Sequence, residues 1–157
     1  MTLASSSALS ALSYDDLARQ LRYPDDSAMQ ELYVQTFEFS PACTLEIGWH
    51  LFGENYERGE FLVRMREQLR RHGITESSEL PDHLTHLLPL IGRMEYGEAA
   101  ELAGQFVLPA LEKIRGSLTD NPYNAVIRGI EERLTNDFPD APRRPVQLPI
   151  FQEAPID

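Results

Sequence analysis

The chain has 157 residues, with 14 Lys and Arg set against 25 Asp and Glu, for a formal net charge of −11. This length fits one domain, and such a domain buries roughly 70% of its unfolded-chain surface. The acidic balance argues against nucleic acid as a partner, because neutralising phosphates requires clustered Lys and Arg. It is compatible with a basic or neutral protein partner.

A single cysteine, Cys43, rules out an intrachain disulfide framework and a multi-cysteine zinc site, and it fits a reducing compartment. No apolar run approaches the roughly 20 residues needed to span a bilayer, so membrane insertion is not expected. Residues 1–12 are rich in Ser and Ala and lack a basic stretch, which makes a poor signal peptide. They read as a frayed tail, and the protein reads as cytoplasmic.

Helical periodicity dominates the chain from residue 13 onward. Ser13 caps a short helix over 14–22, which Tyr23-Pro24-Asp25 breaks. Met29, Leu32, Tyr33, Thr36 and Phe37 share one face of the next helix, interrupted at Phe39-Ser40-Pro41. Residues 42–53 place Leu45, Ile47, Trp49, Leu51 and Phe52 around the whole circumference, which predicts a buried central helix. The segment 57–72 is amphipathic, with Phe61, Leu62, Met65 and Leu69 inward and Gly73 as its C′ residue.

A helix starting between Ser78 and Asp82 carries the stripe Leu84, Leu87, Leu88, Ile91, and another spans 97–118. Pro89 and Pro109 fall inside these two and should kink or split them. Asn121-Pro122 starts a final helix with Tyr123, Val126, Ile127, Ile130 and Leu134 inward. The expected fold is an all-α, single-domain bundle of about six to seven helices. The helical domain covers 13–137, and 138–157 form a Pro-rich extended tail that still carries Val146, Leu148, Ile150 and Phe151.

Two groups of residues carry potential chemistry. The first is Glu79-Leu80-Pro81-Asp82-His83-Leu84, with His86 one turn on. His83 and His86 are three apart and can share a helix face, so Glu79, His83 and His86 form a candidate metal set for a small metal-dependent enzyme. The pattern lacks the His-Glu-x-x-His arrangement of zinc proteases. On spacing alone, Asp82 serves the helix N-terminus and His83 bonds locally. The second group is aromatic: Tyr33, Phe37, Phe39, Trp49, Phe52, Tyr56 and Phe61 crowd into residues 33–61. They read either as core or as a groove for an apolar helix or extended peptide. Cys43 reads either as a nucleophile or as a small buried hydrophobe. No Walker, Gly-x-Ser-x-Gly or Gly-x-Gly-x-x-Gly pattern occurs.

Several segments carry a family resemblance. They are Leu21-Arg22-Tyr23-Pro24-Asp25, Tyr33-Val34-Gln35-Thr36-Phe37-Glu38-Phe39, Trp49-His50-Leu51-Phe52-Gly53-Glu54, Arg58-Gly59 and Glu79-Leu80-Pro81-Asp82-His83-Leu84. In order and spacing the chain resembles the nitrate reductase delta-subunit chaperones. These lie within the wider group that includes the trimethylamine N-oxide and dimethyl sulfoxide reductase chaperones. The resemblance implies a cytoplasmic protein that is not an enzyme, holds no cofactor or metal, and is a monomer or weak homodimer. It implies binding to the N-terminal segment of the apo catalytic subunit of a molybdoenzyme, held until its molybdenum cofactor and iron–sulfur centres are inserted. It also implies withholding of a twin-arginine signal in exported systems.

Carried onto this chain, the resemblance makes Tyr33, Phe37, Trp49 and Phe52 the floor or supporting core of a peptide groove. Glu79, Pro81, Asp82, His83 and His86 would border it, with Asp82 and His83 making polar contacts to the peptide. The client would be nitrate reductase or a related molybdoenzyme. Pro89, the shortness of the chain after residue 135 and the Pro-rich tail depart from the family pattern. A third reading is a helical scaffold subunit that stays in the mature complex.

Overall fold

The computed structural model describes residues 6–141. Among the described residues the chain forms α1 (Ser6–Leu9), α2 (Tyr14–Arg19), α3 (Ser27–Tyr33), α4 (Ile47–Phe52), α5 (Tyr56–Arg71), α6 (Leu84–Arg93), α7 (Tyr96–Leu102), α8 (Leu108–Gly116) and α9 (Tyr123–Asp137). The all-α single-domain bundle is as the periodicity predicts. The helices start and stop where local chemistry dictates. Ser13 accepts the Asp16 N–H at the head of α2, and Asp26 accepts that of Met29 at the head of α3. Asn121 accepts the Tyr123 N–H ahead of α9. Gly73, at φ +69°, follows the end of α5.

Two π-helical turns interrupt the regular helices: Val34–Glu38 extends α3, and Ala103–Val107 joins α7 to α8. The second resolves the Pro109 problem. Its wider turn precedes the proline, which then occupies the first turn of α8, where a missing N–H is tolerated. Pro89 behaves otherwise: α6 is continuous through it.

The stretch 42–53 departs most from its expected form. A short 3-10 turn, Pro41–Cys43, comes first, and only Ile47–Phe52 is α-helical. Between them the backbone is extended and forms an isolated antiparallel bridge, Glu46 with His83. The Ile47 N–H donates to the Asp82 carbonyl at 3.0 Å, and the Leu84 N–H donates to the Leu45 carbonyl at 2.9 Å. The helix is also less buried than its apolar circumference suggests. Ile47 and Gly48 are buried, but Trp49, Leu51 and Phe52 are only half-buried.

The core is continuous. α2 packs on α6, α4 on α5 and α8, and α8 on α9. α1 lies on α9, within the segment read from sequence as a tail. Leu9 is fully buried there and seats over Gly129, where an added Cβ would collide with the Leu9 side chain. At the other end, Phe138 is buried against the ring of Tyr96 at 5.4 Å, and Ala141 packs on the core. The remainder of the Pro-rich segment, 142–157, lies outside the described residues. No described helix is long and apolar enough to cross a membrane.

Candidate functional site

The π-turn, the extended 44–46 segment and the loop before α6 meet around a cavity of about 450 Å³. Tyr33 and Phe37 form its floor, four residues apart on one face of α3 and its extension, and both are nearly fully buried. Tyr33 meets Phe37 edge-on at 5.1 Å, and Phe37 meets Tyr123 of α9 at 4.7 Å, so the last helix braces the floor. Trp49, Thr44, Leu45 and Glu46 supply one wall, and Glu79 and His83 the other.

Glu38 joins the lining because of the π-turn. Five residues apart in a regular α-helix, Tyr33 and Glu38 would diverge by roughly 140°. The i→i+5 bond from the Phe39 N–H to the Val34 carbonyl, 3.2 Å, widens the turn and brings Glu38 round to the same side.

Asp82 organises the site from beneath. It is fully buried, and its Oδ2 accepts the Gly48 N–H at 2.8 Å. A Cβ on Gly48 would stand 2.6 Å from that oxygen and 2.9 Å from Phe61, so the contact requires glycine. Arg58 of α5 reaches across from above. Its guanidinium donates to Glu46 at 2.9 Å and lies 3.4 Å from Asp82 Oδ2, with its centre 6.0 Å from the Trp49 ring centroid. Burial pushes the Asp82 carboxyl above its ordinary range, and the Arg58 charge opposes that push. Asp82 therefore supports the cavity and is not among the residues that line it.

His83 does line the cavity. Its Nδ1 accepts from the Thr85 hydroxyl at 2.7 Å and the Thr85 N–H at 3.3 Å, capping α6. That leaves Nε2 to carry the proton, 3.7 Å from Glu79. Burial, with a smaller contribution from His86, lowers the His83 pKa to about 4, so the ring is neutral near pH 7. Glu79 is shifted the other way, upward, by burial first and then by Glu46 and Glu38. Tyr33 feels two of these carboxylates: burial and then Glu79 and Glu38 hold its phenol well above the ordinary value.

Of the nine residues singled out from sequence, Tyr33, Phe37, Trp49, Glu79 and His83 come together in one cavity. Four do not line it. Phe52 packs on Phe61 at 5.6 Å, and Pro81 and Asp82 are buried beneath the loop. His86 faces away. Its Nε2 accepts the Ser77 N–H, and its Nδ1 donates to the Leu80 carbonyl, both at 2.9 Å. With both His86 nitrogens occupied, the set Glu79, His83, His86 is not arranged as metal ligands. Among the described residues no group of three or more His, Cys, Asp or Glu is placed to hold a metal. Cys43 is buried, and burial raises its thiol pKa, which disfavours the thiolate a nucleophile needs.

Sequence reasoning missed Glu38, Glu46 and Arg58 as site residues. Arg58 and Glu38 were legible only as parts of the family-like segments.

The cavity continues into a second one of about 640 Å³. The two share Tyr33, Glu38, Glu79 and His83, and the second adds Leu21, Arg22, Tyr23, Val34, Ser78 and Thr85 among others. Together they form a groove whose lining includes the solvent-exposed ring of Tyr23. Tyr23 is 55% exposed, and Phe39 and Leu80, next in sequence to the lining residues Glu38 and Glu79, are 75% and 40% exposed.

A helical bundle built around an aromatic-floored, acid-lined groove has the form of a binding protein. The chain belongs to the nitrate reductase delta subunit family, whose model matches residues 5–120. It is similar to the nitrate reductase molybdenum cofactor assembly chaperone NarJ of Escherichia coli strain K12 and of Escherichia coli O157:H7. Each is 33% identical over 84 residues, which is 53% of this chain and 36% of the relative. The match thus spans about a third of the length of those curated relatives.

Proposed function

We propose that this protein is a cytoplasmic assembly chaperone. Its client is the apo catalytic subunit of a molybdenum-containing nitrate reductase or a related molybdoenzyme, and it holds the client's N-terminal segment in the groove during cofactor insertion. The observation that carries this reading is the meeting of a buried aromatic floor, carboxylates and the exposed Tyr23 ring in one groove. The floor of Tyr33, Phe37 and Trp49 takes an apolar side chain of an extended or helical segment. Arg58 already engages Glu46 and Asp82, so Glu38 and Glu79 remain to accept a guanidinium or ammonium from the client. A twin-arginine-like segment, basic and then apolar, has the matching chemistry. The net charge of −11 speeds encounter with such a segment. Family membership and the similarity to an assembly chaperone support the same reading.

Titration of the protein by calorimetry with a peptide covering about the first 30 residues of the client is expected to give saturable binding. The affinity should fall roughly tenfold as NaCl rises from about 0.05 to about 0.5 M. Replacing both Glu38 and Glu79 by Gln should cost a similar factor, about tenfold, without moving the thermal melt. Absence of heat, or binding indifferent to both salt and these carboxylates, would remove the basis for the proposal. Co-purification with the finished, cofactor-loaded enzyme would instead mark a resident scaffold subunit.

A further inference from the structure

The groove has two chemically different ends. Toward Trp49 the lining charges are Glu38, Glu46 and Glu79, with the single Arg58 already paired. Past Tyr33 the 640 Å³ cavity keeps Glu38 and Glu79 and adds the exposed Arg22, which also borders a further cavity of about 230 Å³ that neither of these carboxylates lines. The other arginine there, Arg93, is committed: it grips Asp15 through two bonds of 3.0 and 3.1 Å and donates to the Pro89 carbonyl. The Arg22 guanidinium makes no ion pair or side-chain hydrogen bond to any described residue. It follows α2 and precedes Tyr23-Pro24, so its backbone is fixed by the helix end and the turn while its side chain stays available. The Ser78 hydroxyl and the exposed Tyr23 ring border the same concavity.

We infer that the Arg22 end of the groove is a carboxylate subsite. It takes an acidic side chain of the same segment whose cation lies against Glu38 and Glu79. This inference rests on the proposed function and adds an orientation to it. A guanidinium binds a carboxylate through two parallel N–H donors, which fixes direction as well as sign. A segment lying the other way would bring its acid to Glu38 and Glu79 and its cation to Arg22, with like charges opposed at both ends. That repulsion selects one direction over the other. The acid must therefore stand at a set spacing from the cation in any segment the groove prefers.

The test uses synthetic peptides that share an Arg-Arg pair and an apolar stretch. In each, one Glu is placed at a different distance from the pair, on either side, and each has a twin with Gln at that position. Wild-type protein should bind the Glu peptide roughly three- to tenfold more tightly than its Gln twin at one narrow range of spacings on one side. In Arg22→Gln the gain should vanish, while the Gln twin binds both proteins equally. Arg22→Gln removes no ion pair or side-chain hydrogen bond to a described residue, so its melt should match wild type. A Glu peptide that never outperforms its twin, or a gain that survives in Arg22→Gln, overturns the subsite. If the Gln twins themselves fail to bind wild-type protein, the proposed function falls, and the subsite falls with it.

Discussion

Asp82→Ala should destabilise the protein by about 3–5 kcal/mol, the usual loss when one partner of a buried ion pair is removed. For a chain of this size that corresponds to a fall in melting temperature of roughly 6–20 °C. Asp82 is fully buried and does two jobs at once: it accepts the Gly48 N–H at the head of α4 and neutralises Arg58. Without it the Gly48 donor is left buried and unpaired, a cost of about 1–3 kcal/mol by itself. Arg58 keeps Glu46, which limits the electrostatic part of the loss. Asp82→Asn keeps an acceptor for Gly48 and loses only the charge, so it should recover roughly half of the loss. Urea or thermal unfolding of the two variants beside wild type settles the matter. A melt for Asp82→Ala within a degree or two of wild type would contradict the assignment of Asp82 as the pin between α4, α5 and the loop before α6.

The second large effect is one of pH. His83 has a folded pKa of about 4 against an ordinary value of 6.5. Between those values the unfolded chain binds the proton and the folded chain does not. Stability is therefore complete above about pH 6.5 and is lost as pH falls toward 4. The loss from this group is roughly 3 kcal/mol across that window. Asp82 and Glu79 act with the opposite sign, because their folded values are raised and protonation favours the folded state as pH falls. The histidine contribution is isolated by comparison with His83→Asn, which keeps a side-chain acceptor for Thr85 at the cap and does not titrate. The melting temperature of wild type should fall more steeply between pH 6.5 and 4.5 than that of His83→Asn. Parallel pH profiles for the two proteins would show that His83 titrates normally and is not held neutral by burial.

Much of the fold is legible from periodicity and punctuation. α5, read as 57–72, is observed as Tyr56–Arg71, and Ser13, Gly73 and Asn121 act at the helix ends they were expected to serve. These features are set by neighbours within a few residues, which the sequence displays directly. The failures share a different origin. The 42–53 segment has helical composition, but Glu46 is drawn into a backbone bridge with His83, far along the chain. Nothing in the local pattern announces that bond. Glu38 is turned into the groove by a π-turn, which no 3.6-residue periodicity can place. Burial, too, is a property of the fold: Asp82 and His83 are adjacent, yet one is sealed beneath the loop and the other lines the cavity. Residue type and spacing assign the two no separate roles, and they cannot show that both nitrogens of His86 are already spent on Ser77 and Leu80.

The groove itself holds the means to test its occupancy. Trp49 is the one tryptophan in the chain and lines the cavity beside Glu46 and Arg58. Intrinsic tryptophan fluorescence during titration with a peptide of the proposed client's N-terminal segment therefore reports on this site. Saturable change in Trp49 emission is predicted, reaching its plateau at the same peptide concentration as the calorimetric signal and weakened together with it when Glu38 and Glu79 are replaced by Gln. Binding heat without any change in Trp49 emission would mean that the segment docks elsewhere, and would contradict the assignment of this groove as the client site.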